Sequence, residues 1–472
     1  MAATILELAK LISESTVKIN DFCVAAGTPV PELSVPFDSV SEAWRQQPGV
    51  QLAIDTAISA AHQLISTLTP APLSVLRMGG AYQSAATRVA FESNAAAIIK
   101  EGGEKGMHVN DIAIKAKVDT KKLVRVLRYL ASMHVFREVE PDVFVNNRIS
   151  SCFDIGKPFA EIASNPIDKY EGTPGITALF GHMLDEYNKS AMYAWEALSD
   201  PATSYSEEPE DAALSRAFGK REAFWEWIEE PEQDHRLARF GVAMRAWQNT
   251  LPPEAMLHGF DWRLLTENDL IVDVAGGIGN AVLPIAKINP AVKILIQDRP
   301  AVIEDGIKYW KEQFPEAVES GRVTLQSRDL FAAQPVKTAS VFLLRRILHD
   351  WSDKYARKIL TTLREAAAPS TKLLIIDHIL HHVCADPTLS GPEPVPGWKA
   401  ARREDAPPPL LPNWGICGIG QYGSDLHMMI IHNSQERTLT HLSQLFESTG
   451  WRMARVYPDP TNIMSQVEAV PI

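Results

Sequence analysis

The sequence predicts an α/β protein, a doubly wound Rossmann-like sheet preceded by an all-helical, winged-helix region. Three observations carry this. A buried-strand pattern, Leu270-Ile271-Val272-Asp273-Val274, runs into the glycine-rich turn Ala275–Gly279 and then a helix-like stretch from Asn280 to Ile288. After it, short apolar strands alternate with amphipathic helices to the end of the chain, as a doubly wound sheet requires. Before it, apolar residues recur mainly at helical spacing.

The chain has 472 residues, room for two or three domains with cores of their own. The expected division is a helical and winged-helix domain over 1–165 and a ligand-binding α/β domain over 166–472. Apolar content of 46% and charged content of 22% are those of a soluble globular protein. The net charge of −12 argues against nucleic acid or an anionic membrane as the main partner. Cys23, Cys152, Cys384 and Cys417 lack metal-ligand or disulfide-framework spacing, so a reducing compartment, the cytoplasm, and no metal are expected. No apolar run reaches membrane-spanning length, and Glu7 and Lys10 interrupt the N-terminus against a signal peptide.

Taken in order, residues 2–19 read as an amphipathic helix and Gln51–Leu68 as a second, with a linker bearing Pro29, Pro31 and Pro36 between them. Their apolar faces must be covered by a partner subunit or by the body of the chain; spacing leaves both open. From Ala85 to Ser151 the pattern is that of a winged helix. A helix is expected around Arg88–Lys100, a short one at Val109–Ala113, and a third capped by Asp119 or Thr120 with Leu123, Val126, Leu127 and Leu130 inward. A hairpin turned by Pro141-Asp142 follows. Lys121, Lys122, Arg125 and Arg128 would suit DNA, but a solvated helix face explains them better in an acidic chain. Residues 166–250 look helical, with large apolar side chains that belong to a core or line an apolar pocket.

Beyond the glycine turn, strands are expected at Val292–Ile296, Arg322–Gln326, Ala339–Leu344, Lys372–Ile376, Trp451–Val456 and Ile463–Val470. Helices are expected at Asp353–Ala367 and Ser434–Ser448. Asp273, Asp298, Asp329, His349 and Asp377 fall at or just past strand ends, the edge where such sheets bind ligands. Between Cys384 and Tyr422 stand eight prolines, from Pro387 to Pro412, so this insertion is neither strand nor helix throughout. It reads as a disordered insertion or as a lid.

The glycine turn narrows the ligand. Counted from Gly277, the last glycine of G-x-G-x-x-G is missing, which weakens a dinucleotide reading, and no G-x-x-x-x-G-K cradles a triphosphate. Asp298, about 19 residues beyond Gly279, can accept hydrogen bonds from ribose hydroxyls. A nucleoside without phosphates fits, S-adenosylmethionine foremost; the plain alternative is a tight turn with no ligand. A sulfonium methyl is already electrophilic, so the protein must supply a base for the acceptor hydroxyl. Of the thirteen histidines, only His349 sits at an expected strand end among acids. Asp377 or Glu436 could fix its other ring nitrogen.

Arg345–Asp353 resembles the (K/R)-x-x-x-H-D-W-x-D segment of the plant caffeate-type and fungal O-methyltransferases. Asp273–Gly279, Gln297–Pro300, Arg328–Phe331 and Asp425–Met429 through Glu436-Arg437-Thr438 resemble that family in the same order, over roughly residues 85–472. The resemblance implies a class I S-adenosylmethionine fold whose N-terminal helices make a homodimer and bind no DNA. It implies His349 as general base, bracketed by Asp377 and Glu436. The cofactor side would comprise Gly277 and Gly279 at the methionine part, Asp298 at the ribose and Asp329 and Leu330 on the adenine side, with Asp273, Arg299 and Arg345 also at the cofactor. Phe240, Met244, Met428 and Asn433 match positions of the acceptor pocket, for an aromatic or polyketide-like small molecule. Ala275 replaces the first glycine of the family's usual turn, Asp377 stands where plant members often have Glu, and compact members lack the insertion. Some fungal relatives use the bound sulfonium only as a fixed charge for pericyclic or decarboxylation chemistry. Ala275 and the insertion motivate that alternative, while His349 opposes it.

Overall fold

The structure is a computed structural model that describes residues 3–248, 253–386, 391–458 and 464–472. Packing divides the chain into two compact units. One comprises Met1–Met192, Trp225–Thr250 and Ala406–Gly418; the other comprises Tyr193–Phe224, Leu251–Asp405 and Ile419–Ile472. The expected division placed a single boundary at 165. Instead, the stretch up to Met192 and the residues from Trp225 pack with the N-terminal helices, and part of the proline-rich insertion joins them.

In the first unit, helix α1 (Ala3–Ala26) packs on helix α2 (Pro48–Leu68). The first runs seven residues past its expected end, and the second starts three residues before its expected beginning. Next come Tyr82–Glu92 and Ala95–Lys100, where one helix was expected. The break lies at Asn94, whose φ of 53° no continuing helix allows. Val109–Ala116 and Thr120–Ala131 follow, the latter capped by the Asp119 side chain, which accepts from Lys122 N at 3.0 Å. Leu123, Leu127 and Leu130 are buried with Ile98, Ile99, Ile112, Phe136 and Phe144. A small antiparallel sheet flanks them: β1 (Met107–His108), β2 (Arg137–Glu140) and β3 (Val143–Val145), in order β1-β3-β2. Arg128 is tied to Glu138 and Asp142 at 3.2 and 2.9 Å.

The helix Ile176–His182 passes through a π-helical turn, Met183–Tyr187, and packs on Asp234–Gln248. The turn presents Asp185 and Glu186, 3% and 0% exposed, to Arg239, which lies 2.9 and 2.6 Å from them; Arg236 reaches Asp185 at 2.9 Å. Burial would raise the Asp185 carboxyl, yet the bonds from Arg236 and Arg239 outweigh it and hold it at about 2.

The second unit holds a seven-stranded sheet in the order β6-β5-β4-β7-β8-β10-β9. Its strands are β4 (Leu270–Val274), β5 (Lys293–Asp298), β6 (Val323–Ser327), β7 (Val341–Arg345), β8 (Lys372–Asp377), β9 (Trp451–Tyr457) and β10 (Ser465–Pro471). The first five are parallel, and β10 is antiparallel to both neighbours. Both faces are covered, which the strand sequences require. In β7, Phe342 and Leu344 enter one core with Val272, Ile359 and Leu363, while Val341 and Leu343 enter the other with Ile294 and Trp310. The chain runs outward from β4 to β6 and returns to β7 beside β4. The β4–β7 junction is therefore the switch point where a crevice opens beyond the strand ends.

Two expected helices start late. The one after the glycine turn begins at Leu283, not Asn280. The one expected from Ser434 is Leu439–Glu447, capped by Thr438. Residues 434–438 are instead drawn alongside the chain leaving β8: Ile379 bridges Arg437, and Leu380 N donates to Arg437 O at 3.0 Å. The start expected for β10, Ile463, lies outside the described residues, as does Pro387 of the insertion.

The insertion, neither strand nor helix throughout its described residues, is anchored at a few buried points. Trp398 and Ala401 are 7% and 5% exposed in the core beneath β9, and Val456 N donates to Pro396 O at 3.0 Å. Ala406, Leu410 and Trp414 bury against Leu8 of α1 and Ala60 of α2.

Truncating Arg239 would take from the buried Glu186 its arginine partner and from Asp185 one of its three, Arg88 and Arg236 remaining. Arg239→Ala is expected to destabilise the protein by about 3–5 kcal/mol in urea unfolding. A loss below about 1 kcal/mol would mean that Asp185 and Glu186 are satisfied without it.

Candidate active site

The glycine turn is shaped by what lies beneath it. Asp273, 1% exposed, sits one residue before the end of β4, and a Cβ on Gly276 would fall 2.3 Å from its carboxyl group. Gly279, at φ +78°, has Ile296 and Trp310 within 2.3 and 2.6 Å of where a Cβ would be. Neither position admits another residue. Gly277, at φ +62°, faces open space, and its N–H donates to Asp298 Oδ2 at 2.7 Å. The other Asp298 oxygen accepts from Arg299 N at 2.7 Å. Carboxylate oxygens have two lone pairs each, so hydroxyls can still approach. Ala275 adopts φ +53°, a left-handed conformation that costs an L-residue about 1–2 kcal/mol.

A carboxylate and a guanidinium are left open at this edge. Asp273 Oδ2 and Arg345 Nε, on adjacent strands β4 and β7, are buried without a hydrogen-bond partner among the described residues. Burial, only partly offset by Arg345, lifts the Asp273 carboxyl to about 7. The amino and carboxylate groups of an amino acid are the complements of this pair, so the turn fits the methionine end of S-adenosylmethionine. Asp329 is exposed, its Oδ1 accepting from Phe331 N at 2.9 Å, and Leu330 is half-buried beside it.

Past β7, His349 sits in a short 3-10 turn, Leu348–Asp350, and its ring is 11% exposed. Nδ1 lies 3.0 Å from Glu436 Oε1, so the Nδ1–H donates to a carboxylate that is itself 2% exposed. Glu436 is held in turn: Ser424 Oγ donates to Oε1 at 2.7 Å, and the Glu436 N–H donates to Asp425 Oδ1 at 2.9 Å. On the other side of the ring, Asp350 Oδ1 stands 3.5 Å from Nε2. Burial works against a charged imidazole, but Glu436 and Asp350 outweigh it and raise the His349 pKa to about 10. An imidazole held above its ordinary value adds stability that is complete below pH 6.5 and is lost as pH rises through about 10.

Asp377, one of the two acids expected to fix the ring, makes no hydrogen bond with it. Its carboxyl, 7% exposed, is raised by burial to about 7, and Oδ1 has no partner among the described residues. Among the described residues, Glu436 is the one that holds Nδ1. Three neighbours escaped the sequence reading. Asp350 adjoins the histidine and could have been found as the next acid in the same segment. Ser424 and Asp425 act on Glu436 from another helix, Ile419–His432; Asp425 opens a stretch that resembles the family, but nothing local pairs either residue with Glu436. His378, half-buried just past β8, is pushed down by burial to about 4 and is neutral at physiological pH.

The residues expected at an acceptor pocket fall in both units. Phe240 and Met244 lie on the Asp234–Gln248 helix of the first unit; Phe240 meets His182 and Trp225 edge-on at 5.4 and 5.9 Å, and Met244 packs near Tyr170 and Val242. Met428, 8% exposed, and Asn433 belong to the second unit. The Asn433 amide nitrogen is already engaged, donating to Ser206 O and Glu208 O at 2.9 Å each.

A mixed sheet of this order, five strands parallel and β10 antiparallel, with a glycine turn after β4 and an acid ending β5, defines a class I methyltransferase fold. Residues 195–391 match the model of the O-methyltransferase domain family. The chain is similar along its whole length to 4-O-methyltransferase 1 of Phanerochaete chrysosporium, with 38% identity and 100% of both chains covered. It is 41% identical to an O-methyltransferase of Armillaria gallica, over 97% of this chain and 96% of the relative. Among solved structures, OxaC in complex with SAH and oxaline matches the fold with a TM-score of 0.65 at 18% identity, covering 98% of this chain and all of that one. The chain belongs to the S-adenosylmethionine-dependent O-methyltransferases, and S-adenosylmethionine is its cofactor.

Replacing Glu436 by Gln removes the charge nearest Nδ1 and keeps a hydrogen-bond acceptor. The His349 pKa in Glu436→Gln should fall from about 10 toward its ordinary 6.5, followed by NMR titration of the ring. An unmoved titration would assign the shift to Asp350 instead.

Proposed function

We propose that the protein methylates a hydroxyl of an aromatic or polyketide-like small molecule, with His349 as general base. The observation that carries this reading is the buried Nδ1–Glu436 bond at 3.0 Å, which fixes the ring and leaves Nε2 as the nitrogen able to take a proton. The bound cofactor supplies an electrophilic methyl group on a sulfonium. The chain's own task is to hold the acceptor oxygen in line and remove its proton. A base raised to about 10 is matched to a phenol, whose ordinary pKa is about 10, so proton transfer between them is nearly balanced.

Asp273 and Arg345 serve the amino-acid end of the cofactor in this reading, the Gly277–Gly279 backbone lets it approach, and Asp298 with Arg299 serves the ribose. Asp329 and Leu330 serve the adenine. Phe240, Met244 and Met428 supply apolar contact to the acceptor, and Asn433 shapes the loop around Ser206 and Glu208. Asp377 acts on His349 through space. The N-terminal region supplies a homodimer contact: Leu6 and Val24 of α1 are 71% and 73% exposed, and Ile65 and Leu68 of α2 are 60% and 64% exposed. No described helix is long and apolar enough to cross a membrane.

His349→Ala is expected to lose about 100- to 10,000-fold in kcat with labelled cofactor and a panel of phenols. Because the free imidazole carries a proton below about pH 10, kcat/KM of the native protein should climb with pH up to that value. The variant should lack this limb. Full methylation by the alanine variant, or product without equimolar S-adenosylhomocysteine, overturns the reading.

The dimer is tested separately. Leu6→Glu combined with Ile65→Glu should convert a dimer to a monomer in sedimentation equilibrium. A native protein that is already monomeric at micromolar concentration removes the proposal.

A further inference from the structure

The chain between β6 and β7, residues 328–340, forms no regular element, yet it carries Asp329 and Leu330 at the sheet edge. From Phe331 to Thr338 its residues are exposed or half-buried, with one exception: Gln334 is 1% exposed. It lies against Gln297, 2% exposed, at the next-to-last position of β5. The two amides pair reciprocally. Gln334 Nε2 donates to Gln297 Oε1 at 2.9 Å, and Gln297 Nε2 donates back to Gln334 Oε1 at 3.2 Å and to Gln326 Oε1 of β6 at 2.7 Å. Gln334 Oε1 also accepts from Val336 N at 3.3 Å, within its own loop. All of these residues belong to the second unit.

The main chain at the end of β5 holds the rest of the same edge. Gly276 N of the glycine turn donates to Gln297 O at 3.1 Å, and Arg328 N donates to Asp298 O at 2.8 Å. The end of β5 is thus tied to the glycine turn on one side and to both ends of the 328–334 stretch on the other. Asp329 and Leu330 stand between those two ties. Phe331 follows them, its ring edge-on to Trp351 at 4.7 Å.

Stability alone does not call for amides at this place. Leu295, two residues before Gln297 on β5, packs on the core that Leu330, Phe331 and Val336 also flank, so the Gln297 side chain points into the same apolar layer. Two apolar side chains of that shape would be nearly as stable, since folding only exchanges hydrogen bonds with water for hydrogen bonds within the chain. A reciprocal amide pair adds direction. It closes at one separation and one orientation, whereas apolar side chains can slide past each other.

We propose that the Gln297–Gln334 pair is a staple that fixes residues 328–336 to the end of β5 and so positions Asp329 and Leu330 for the adenine, with Gln297 and Gln334 as positioning residues in cofactor recognition. The consequence for the cofactor rests on Asp329 and Leu330 serving the adenine; the hold on the loop does not.

Gln297→Leu combined with Gln334→Leu tests this in the full chain, because it removes both amides together and leaves neither buried alone. The double variant should unfold close to the native temperature, and each single leucine variant, which strands an amide group of its partner, should unfold lower. In the double variant the amides of Arg328, Phe331 and Ala332 should exchange faster with deuterium. Affinity for S-adenosylhomocysteine, by calorimetric titration, should fall about tenfold, the loss expected of one misplaced hydrogen bond. With the phenol panel, KM for S-adenosylmethionine should rise to match, while kcat at saturating cofactor and its pH profile stay native. Native exchange at those three amides in the folded double variant overturns the staple. Faster exchange with native affinity for S-adenosylhomocysteine keeps the staple and removes Asp329 and Leu330 from the adenine. If the double variant does not fold, Gln334→Met, which keeps the length of the side chain and deletes its amide, decides by the same exchange and affinity.

Discussion

A charged ring and two acids sit together inside the second unit, and most of its C-terminal part is arranged to keep them there. Taking His349 and Glu436 out of water costs several kcal/mol for each ion, which their attraction offsets only if every remaining polar atom is served. The chain supports the pair from three directions, although Glu436 Oε2 is buried without a hydrogen-bond partner among the described residues. The turn after β7 brings His349 and Asp350, the helix Ile419–His432 brings Ser424 and Asp425, and the 434–438 stretch brings Glu436 itself. Arg437 locks the last of these to the first by donating to Leu348 O at 2.7 Å and Trp351 O at 2.8 Å. This accounts for the late start of the following helix: coiling residues 434–438 would withdraw both Glu436 and Arg437.

The sheet was legible because its signal is local. Strands buried on both faces read as apolar runs, and β4, β5, β7 and β8 fall within a residue or two of their expected bounds. The glycine turn and the acids at strand ends were legible for the same reason. What was not legible depends on contacts distant in sequence. Asp377 and Glu436 offer the same group at plausible distances, and only the bridge between Ile379 and Arg437 decides which one reaches Nδ1. The grouping of the helices up to Met192 and from Trp225 with the N-terminal part of the chain was not legible either, since Arg239, Asp185 and Glu186 join elements distant in sequence. No periodicity announces an ion cluster.

Ala275 shows how the glycine turn tolerates a side chain at its first position. The left-handed backbone there costs the alanine about 1–2 kcal/mol, yet the neighbouring Gly276 and Gly279 positions could not pay even a methyl, because Asp273, Ile296 and Trp310 occupy the space. Strain at one residue is compatible with the turn; collision at the others is not. The order of tolerance along the turn therefore follows from what lies under each Cα, not from the glycine count of a motif.

The insertion answers a problem that the fold itself sets. Between β8 and the helix Ile419–His432 the chain must leave the sheet and return with Ser424 and Asp425 correctly placed beside Glu436. A free loop of that length would leave the return point loosely defined, since closing a longer loop costs little extra entropy and specifies little. Prolines restrict the path and remove backbone donors that would otherwise need partners. Trp398 and Ala401 anchor the outgoing half beneath β9, and Leu410 and Trp414 anchor the incoming half on α1 and α2. With both halves anchored, a segment that reads as irregular in sequence is held by burial at separate points along its path, not left as a free loop.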